Sequence, residues 1–261
     1  MNRLLPILLL VLLAGCVTQV RGQQWYAGHF GGYPVPTITN CQDVAELPVP
    51  QPGSAIRIVS TLTTTNTPAL LGDLTGKTII ATTWTECSNA PTFFFNNDCG
   101  NGVPVNMRLF FTSDQRPYTE NNGRGSPSNF WWSDAPTGWA PIACGTNTLT
   151  CALTPDGWSD ALGHLASDSN YTSSFLATAQ NVAQIGLSFG GGCYYDNGCG
   201  ISNNGASATL HVLRYDAQAM SVVLVQVLLG TLAGDWTNAG PPLLLTNLPS
   251  PSLLKLAIGR Q

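Results

Sequence analysis

The stretch Val105-Asn106-Met107-Arg108-Leu109-Phe110-Phe111-Thr112 decides the fold. In an extended chain Val105, Met107, Leu109 and Phe111 fall on one face, and Asn106, Arg108 and Phe110 on the other. One face is continuously apolar, so the segment reads as a strand with its back to a core. Working outward, Ala183 to Phe189 repeats the device. Ile185, Leu187 and Phe189 share one face; Gly186, Ser188 and Gly190 share the other. Ala55–Leu62, Lys77–Trp84, Asn129–Ser133, Thr148–Leu153 and Ala206–Tyr215 are further strands, rich in β-branched or aromatic residues. Clusters of Gly, Asn, Asp and Pro punctuate them. In Leu176–Val182 alanines and a leucine stand where the strands have β-branched residues, which predicts the one short helix. Short strands with regular turns predict an all-β chain, a jelly-roll or β-sandwich over 55–215. Pro34, Pro36, Pro48, Pro50 and Pro52 make 23–54 an irregular, extended N-terminal arm. Residues 216–261, apolar and interrupted by Pro241, Pro242, Pro249 and Pro251, read as a loosely packed C-terminal extension.

Composition narrows the function class. Charged residues make up 9% of the 261 residues, and the formal net charge is -4. Two of the ten cations are lysines, Lys77 and Lys255. A nucleic-acid partner needs cations to displace phosphate counterions, so that class is excluded. The first residues carry Arg3 and then an apolar run to Leu13. This is the pattern of a secretory signal over 1–22, with cleavage expected before Gln23. A competing exit is Leu13-Ala14-Gly15-Cys16, a lipoprotein signal over 1–15 that would place a lipid anchor on Cys16. Neither this run nor Val222–Ala233 is long enough to predict a transmembrane span. Both exits take the mature chain out of the cytosol, secreted or held at the cell surface.

The other cysteines suit an oxidising compartment. Close spacing suggests three disulfides, Cys87–Cys99, Cys144–Cys151 and Cys193–Cys199, with Cys41 left over. Spacing does not dictate connectivity, so other pairings stay open. A zinc site is not expected: there is no CxxC, and His29, His164 and His211 are far apart. The oxygen-rich turns Asn96-Asn97-Asp98 and Asp196-Asn197-Gly198 leave a structural calcium as a weak expectation. The sequon Asn170-Tyr171-Thr172 marks Asn170 for glycosylation in a eukaryotic secretory route.

Several segments in order resemble a known family: Leu71–Thr78 (LGDLTGKT), Asn106–Phe111 (NMRLFF), Phe130–Ser133 (FWWS), Leu153–Trp158 (LTPDGW) and Val182–Gly192 (VAQIGLSFGGG). Together they are similar to the galactose-binding-like β-sandwich domains of secreted carbohydrate-binding modules and polysaccharide-degrading enzymes. The similarity spans roughly residues 55–215 as a layout rather than as one diagnostic motif. It implies a jelly-roll and an extracellular glycan ligand. It departs after the last strand, where Arg214-Tyr215-Asp216 only approximates the acidic closing turn.

Catalytic motifs are thin. Gly186-x-Ser188-x-Gly190, followed by Asp196 and His211, matches a nucleophile-elbow spacing. The elbow needs a sharp turn into a helix, and Ser188 sits inside strand alternation instead. Gly72–Thr78 ends in Gly-Lys-Thr but has Leu71 where a P-loop needs its first glycine. Glycoside hydrolysis needs a carboxylate pair, and Glu46, Glu86 and Glu120 form no distinctive pattern. No catalytic residue is therefore assigned.

Aromatics are the stronger signal. Trp131, Trp132, Trp139 and Trp158 fall within 28 positions, with Tyr194-Tyr195 further on. Sugar C–H faces stack on such rings while hydroxyls take polar partners. Neighbours on one strand, Trp131 and Trp132 must face opposite ways, so at most one is core unless both faces are covered. The expected ligand-binding set is Asn106, Arg108, Phe110, Trp132, Trp139 and Tyr195, with the bare face of Gly186, Ser188 and Gly190 supplying space. The expected function is a non-catalytic, extracellular carbohydrate-binding or surface protein with a glycan partner and no cofactor. The alternative is a glycoside hydrolase or lyase on the same scaffold.

Overall fold

The structure is a computed structural model, and it describes residues 24–28, 44–54, 58–95, 104–114, 129–191 and 195–219. The signal segment, Cys16, His29, Cys41, Cys99, Glu120, Cys193, Tyr194, the Asn96–Asp98 turn and residues 220–261 lie outside these. Chain contacts divide the protein into Met1–Ala219 and Met220–Gln261, and every described residue belongs to the first unit.

The strands run β1 (Trp25–Gly28), β2 (Ala45–Pro48), β3 (Thr61–Thr64), β4 (Lys77–Ser88), β5 (Phe93–Phe94), β6 (Asn106–Thr112), β7 (Phe130–Ser133), β8 (Trp139–Pro141), β9 (Gly145–Ala152), β10 (Trp158–Asp160), β11 (Gln184–Gly190), β12 (Gly200–Ile201) and β13 (Ser207–Ala219). Helix α1 covers Thr172–Ala179, and Pro68–Leu70 forms a 3-10 turn. One sheet has the order β1-β3-β11-β6-β7-β10, with β8 also paired to β6. A second has the order β2-β13-β4-β9, and β5 pairs with β12. All described pairings are antiparallel. The chain is an all-β sandwich.

The arm supplies an edge strand to each sheet. Trp25 of β1 is buried and meets Tyr215 of β13 edge-on at 5.1 Å between ring centroids. Leu47 of β2 is likewise core. The core lies between the inner faces of the two sheets. Met107, Leu109 and Phe111 of β6 and Ile185, Leu187 and Phe189 of β11 meet Ile79 and Ala81 of β4, Leu149 of β9, and Leu210 and Val212 of β13 in one apolar cluster. The alternation read from Val105–Thr112 thus points to this core, where each large apolar side chain contributes about 1.5–3 kcal/mol. Helix α1 starts four residues before the expected Leu176, at Thr172. It closes one end of the core through Phe175, which meets Phe111 and Trp131 edge-on. Tyr215 ties the sheets together: its hydroxyl donates to Gly186 O at 2.9 Å.

The disulfide expectation needs correction. Cys87 is bonded to Cys144, not to Cys99, across 57 positions of sequence. Cys151 is a buried free thiol rather than the partner of Cys144, and Cys199 is a buried free thiol rather than the partner of Cys193. Sequence proximity failed because β4 and β9 are adjacent strands: Thr85 pairs with Gly145, which puts Cys87 and Cys144 at one end of that pair. Cys151 follows the inward alternation of β9 into the core. Burial, aided by the negative charge of Asp134, pushes its thiol up to about 12. Burial alone raises Cys199 further still.

Candidate functional site

The outward face of the seven-stranded sheet collects every residue of the expected ligand set. Strand register makes one row of Tyr26, Thr63, Gly186, Phe110, Trp132 and Ser159. A neighbouring row holds Thr61, Ser188, Arg108 and Trp139. Asn106 lies one step further along β6, beside Pro141. Tyr195 follows from the segment before β12 and joins them from above the sheet.

The set divides into a buried floor and an accessible rim. Phe110, Phe130 and Trp132 form a second apolar cluster, with Ala161 and Tyr195 packed against it. Trp132 is 2% exposed, although its neighbour Trp131 already fills the main core. Both faces of β7 are therefore covered. Trp132 and Phe110 do not offer a stacking surface; they support one. The indole of Trp132 donates to Ser188 Oγ at 3.0 Å, and that hydroxyl donates on to Tyr195 O at 2.5 Å. A buried indole N–H needs such a partner.

These bonds also account for Gly186-x-Ser188-x-Gly190. The Ser188 hydroxyl is committed on both sides and lies mid-strand. His211 belongs to the other sheet, on the side opposite its core residues Leu210 and Val212. The full thickness of the sandwich separates Ser188 from His211, so the two form no triad. Gly186 has a different role from holding ligand space. A Cβ there would stand 2.0 Å from Leu62 O, so the room it leaves is taken by the neighbouring strand.

Arg108 is buried, at 7% exposure, rather than solvated. Its Nη1 donates to Ser133 O at 2.7 Å and to Asp134 Oδ1 at 2.9 Å. The guanidinium carbon lies 3.7 Å from the centre of the Tyr195 ring and 5.2 Å from that of Trp139. Tyr195 in turn donates its hydroxyl to Asp134 Oδ1 at 3.4 Å. Arg108 therefore fixes two half-exposed aromatic rings around itself, held by cation–π attraction and a shared carboxylate. No sequence pattern singled out Asp134. It follows Phe130–Ser133 directly, and only the fold brings it across from Arg108.

Four polar atoms on this face are buried without a hydrogen-bond partner among the described residues: Thr61 Oγ1, Asn106 Oδ1, Arg108 Nε and Ser159 Oγ. Buried polar groups are nearly always paired, so these atoms are polar ground inside the sheet face rather than at its surface.

Elsewhere, Asn170 is exposed in the turn before α1, as a sequon requires. In the Asp196–Gly198 turn the Asn197 amide is spent on Gly191, accepting from its N–H at 2.8 Å and donating to its O at 2.9 Å. The described residues contain no helix long and apolar enough to cross a membrane.

No protein-family model matches the sequence, and no curated relative does. A solved xylan-binding module, CBM15, is similar over 76% of this chain and 95% of its own, at 14% sequence identity and a TM-score of 0.35. A likeness of that size carries no argument about the site, and the functional reading rests on the residues described above.

Proposed function

We propose that the protein is an extracellular, non-catalytic glycan-binding module. Its ligand would meet Trp139, Tyr195 and Asn106 on the outward face of the seven-stranded sheet. The observation that carries this reading is the Arg108 arrangement: a buried cation clamps two partly exposed aromatic rings on one sheet face. Rings give stacking area for sugar C–H faces, and polar atoms fix hydroxyls. Pre-organisation by Arg108 and Asp134 lowers the ordering cost of binding. The Cys87–Cys144 disulfide is compatible with export. Non-catalysis is favoured because the one spaced motif, at Ser188, is used for structure.

The test is retention on a panel of immobilised polysaccharides, with released sugar measured in parallel. Retention that drops about tenfold or more in Trp139→Ala, with an unchanged thermal midpoint, supports the reading. New reducing ends or unsaturated products would instead establish the hydrolase or lyase alternative. N-terminal sequencing of the exported protein separates cleavage before Gln23 from lipidation at Cys16.

A further inference from the structure

The opposite side of the molecule carries an aromatic feature that the glycan reading does not use. On the outward face of the four-stranded sheet, register makes a row of Thr146, Trp84, His211 and Glu46 across β9, β4, β13 and β2. Trp84 is 39% exposed, whereas Trp25, Trp131, Trp132 and Trp158 are all buried. Its ring is held in place by stacking on His211, at 4.8 Å between centroids and 27° between planes. His211 is held in turn between two carboxylates. Its Nδ1 lies 3.9 Å from Glu46 Oε1, and its Nε2 lies 3.5 Å from Glu86 Oε2. The disulfide at Cys87 pins the same end of β4 to the start of β9. One face of Trp84 is thus covered by His211, and its register neighbour on the other side is the short Thr146. Threonines continue the surface: Thr82 and Thr148 are paired across the strands, hydroxyl to hydroxyl, at 3.4 Å.

The charges here are selective. The side chain of Glu86 is 61% exposed and that of Glu46 31%. Further along the face Arg214 is spent on Asp216, Nε to Oδ2 at 2.5 Å. An anionic sugar would meet the exposed carboxylate of Glu86 and is disfavoured. A ring carrying an ammonium gains attraction to the indole face and a charge-assisted hydrogen bond to a carboxylate, where a neutral hydroxyl gains only the weaker bond.

We infer that this face is a second, separate binding site, for an amino sugar with a free ammonium. Trp84 is its stacking platform and Glu86, two positions further along β4 and 61% exposed, is its anionic partner. With the Trp139 face on the other sheet, the two sites point away from each other, so one molecule can bridge two polysaccharide chains.

The experiment uses the full exported protein and calorimetric titration with two probes, glucosamine hexamer and N-acetylglucosamine hexamer. The expected result is preference for the free amine by about tenfold or more. Trp84→Ala should abolish binding of the glucosamine hexamer, and Trp84→Tyr should restore part of it. Glu86→Gln should erase the preference for the amine. Trp139→Ala should leave glucosamine binding intact while losing retention on the neutral polysaccharides above, so the two sites fail independently. Trp84 is 39% exposed, so its variants should keep the fold, with a modestly lowered thermal midpoint for Trp84→Ala and a smaller change for Trp84→Tyr. Equal affinity for the two hexamers, no binding of either, or binding that survives Trp84→Ala overturns the inference.

Discussion

Gly186 and Arg108 share one sheet face and constrain it in opposite ways. At Gly186 even a methyl group would collide with Leu62 O, which is backbone and cannot swing aside. Gly186→Ala is expected to destabilise the protein by about 1–3 kcal/mol or more, measured by urea denaturation. Arg108 fills its space with charge. Truncation to alanine removes two charge-assisted bonds, strands Asp134 and frees both rings. Asp134 is a third exposed, which softens the penalty, and a loss of about 2–3 kcal/mol is expected for Arg108→Ala. Trp132→Ala should cost about 3–5 kcal/mol, as for any fully buried aromatic. Loss of glycan retention in either variant would therefore be accompanied by a lower midpoint, whereas Trp139→Ala should lose retention alone.

Strand pairing, rather than nearness in sequence, governs the chemistry of the elements. The β4–β9 pair is closed at one end by Cys87–Cys144, a bridge spanning 57 positions. By the chain-entropy relation for a loop of that length, replacing both cysteines by alanine should cost about 4 kcal/mol. Comparing the denaturation midpoint of the Cys87→Ala/Cys144→Ala variant with that of the unchanged protein checks this. Period-2 alternation made β6 and β11 legible, because one face of each is continuously apolar, and β-branched content made β4 legible. Trp84 itself was placed on β4 by that reading. What escaped was its exposure: Ile80, Thr82, Trp84 and Glu86 alternate with inward residues, but no single strand shows whether its outer face is covered.

The whole molecule shields its two described free thiols. Cys151 and Cys199 both belong to the core between the sheets. Raised folded pKa values hold them as neutral thiols at pH 8, so reaction with a disulfide reagent should wait for global opening and be fast only in denaturant. The sign for stability follows from the same shift. An unfolded thiol near 9.0 loses its proton while folded Cys151, at about 12, keeps it. The folded state then binds more protons, so the contribution is intact below pH 9 and stability falls as pH rises from 9 towards 12. Denaturation at pH 8 and pH 10 should show the decrease, and a Cys151→Ser variant should show less of it.

Sequence by itself determined the class of fold and which residues share the outward face of the seven-stranded sheet. Alternation puts Asn106, Arg108 and Phe110 on one face, and tryptophan spacing puts rings near them, because the pleat ties residue parity to direction. Only the tertiary structure decided which of these residues are accessible. Burial of Trp132, clamping of Trp139 and Tyr195 by Arg108, the partner of Cys87 and the surface position of Trp84 all depend on segments distant in the chain. Asp134, Ser188 and Tyr195 reach the site from separate elements, and β4 meets β9 only once the sheet has formed. Those contacts arise from packing between strands, and no local pattern along a single strand encodes them.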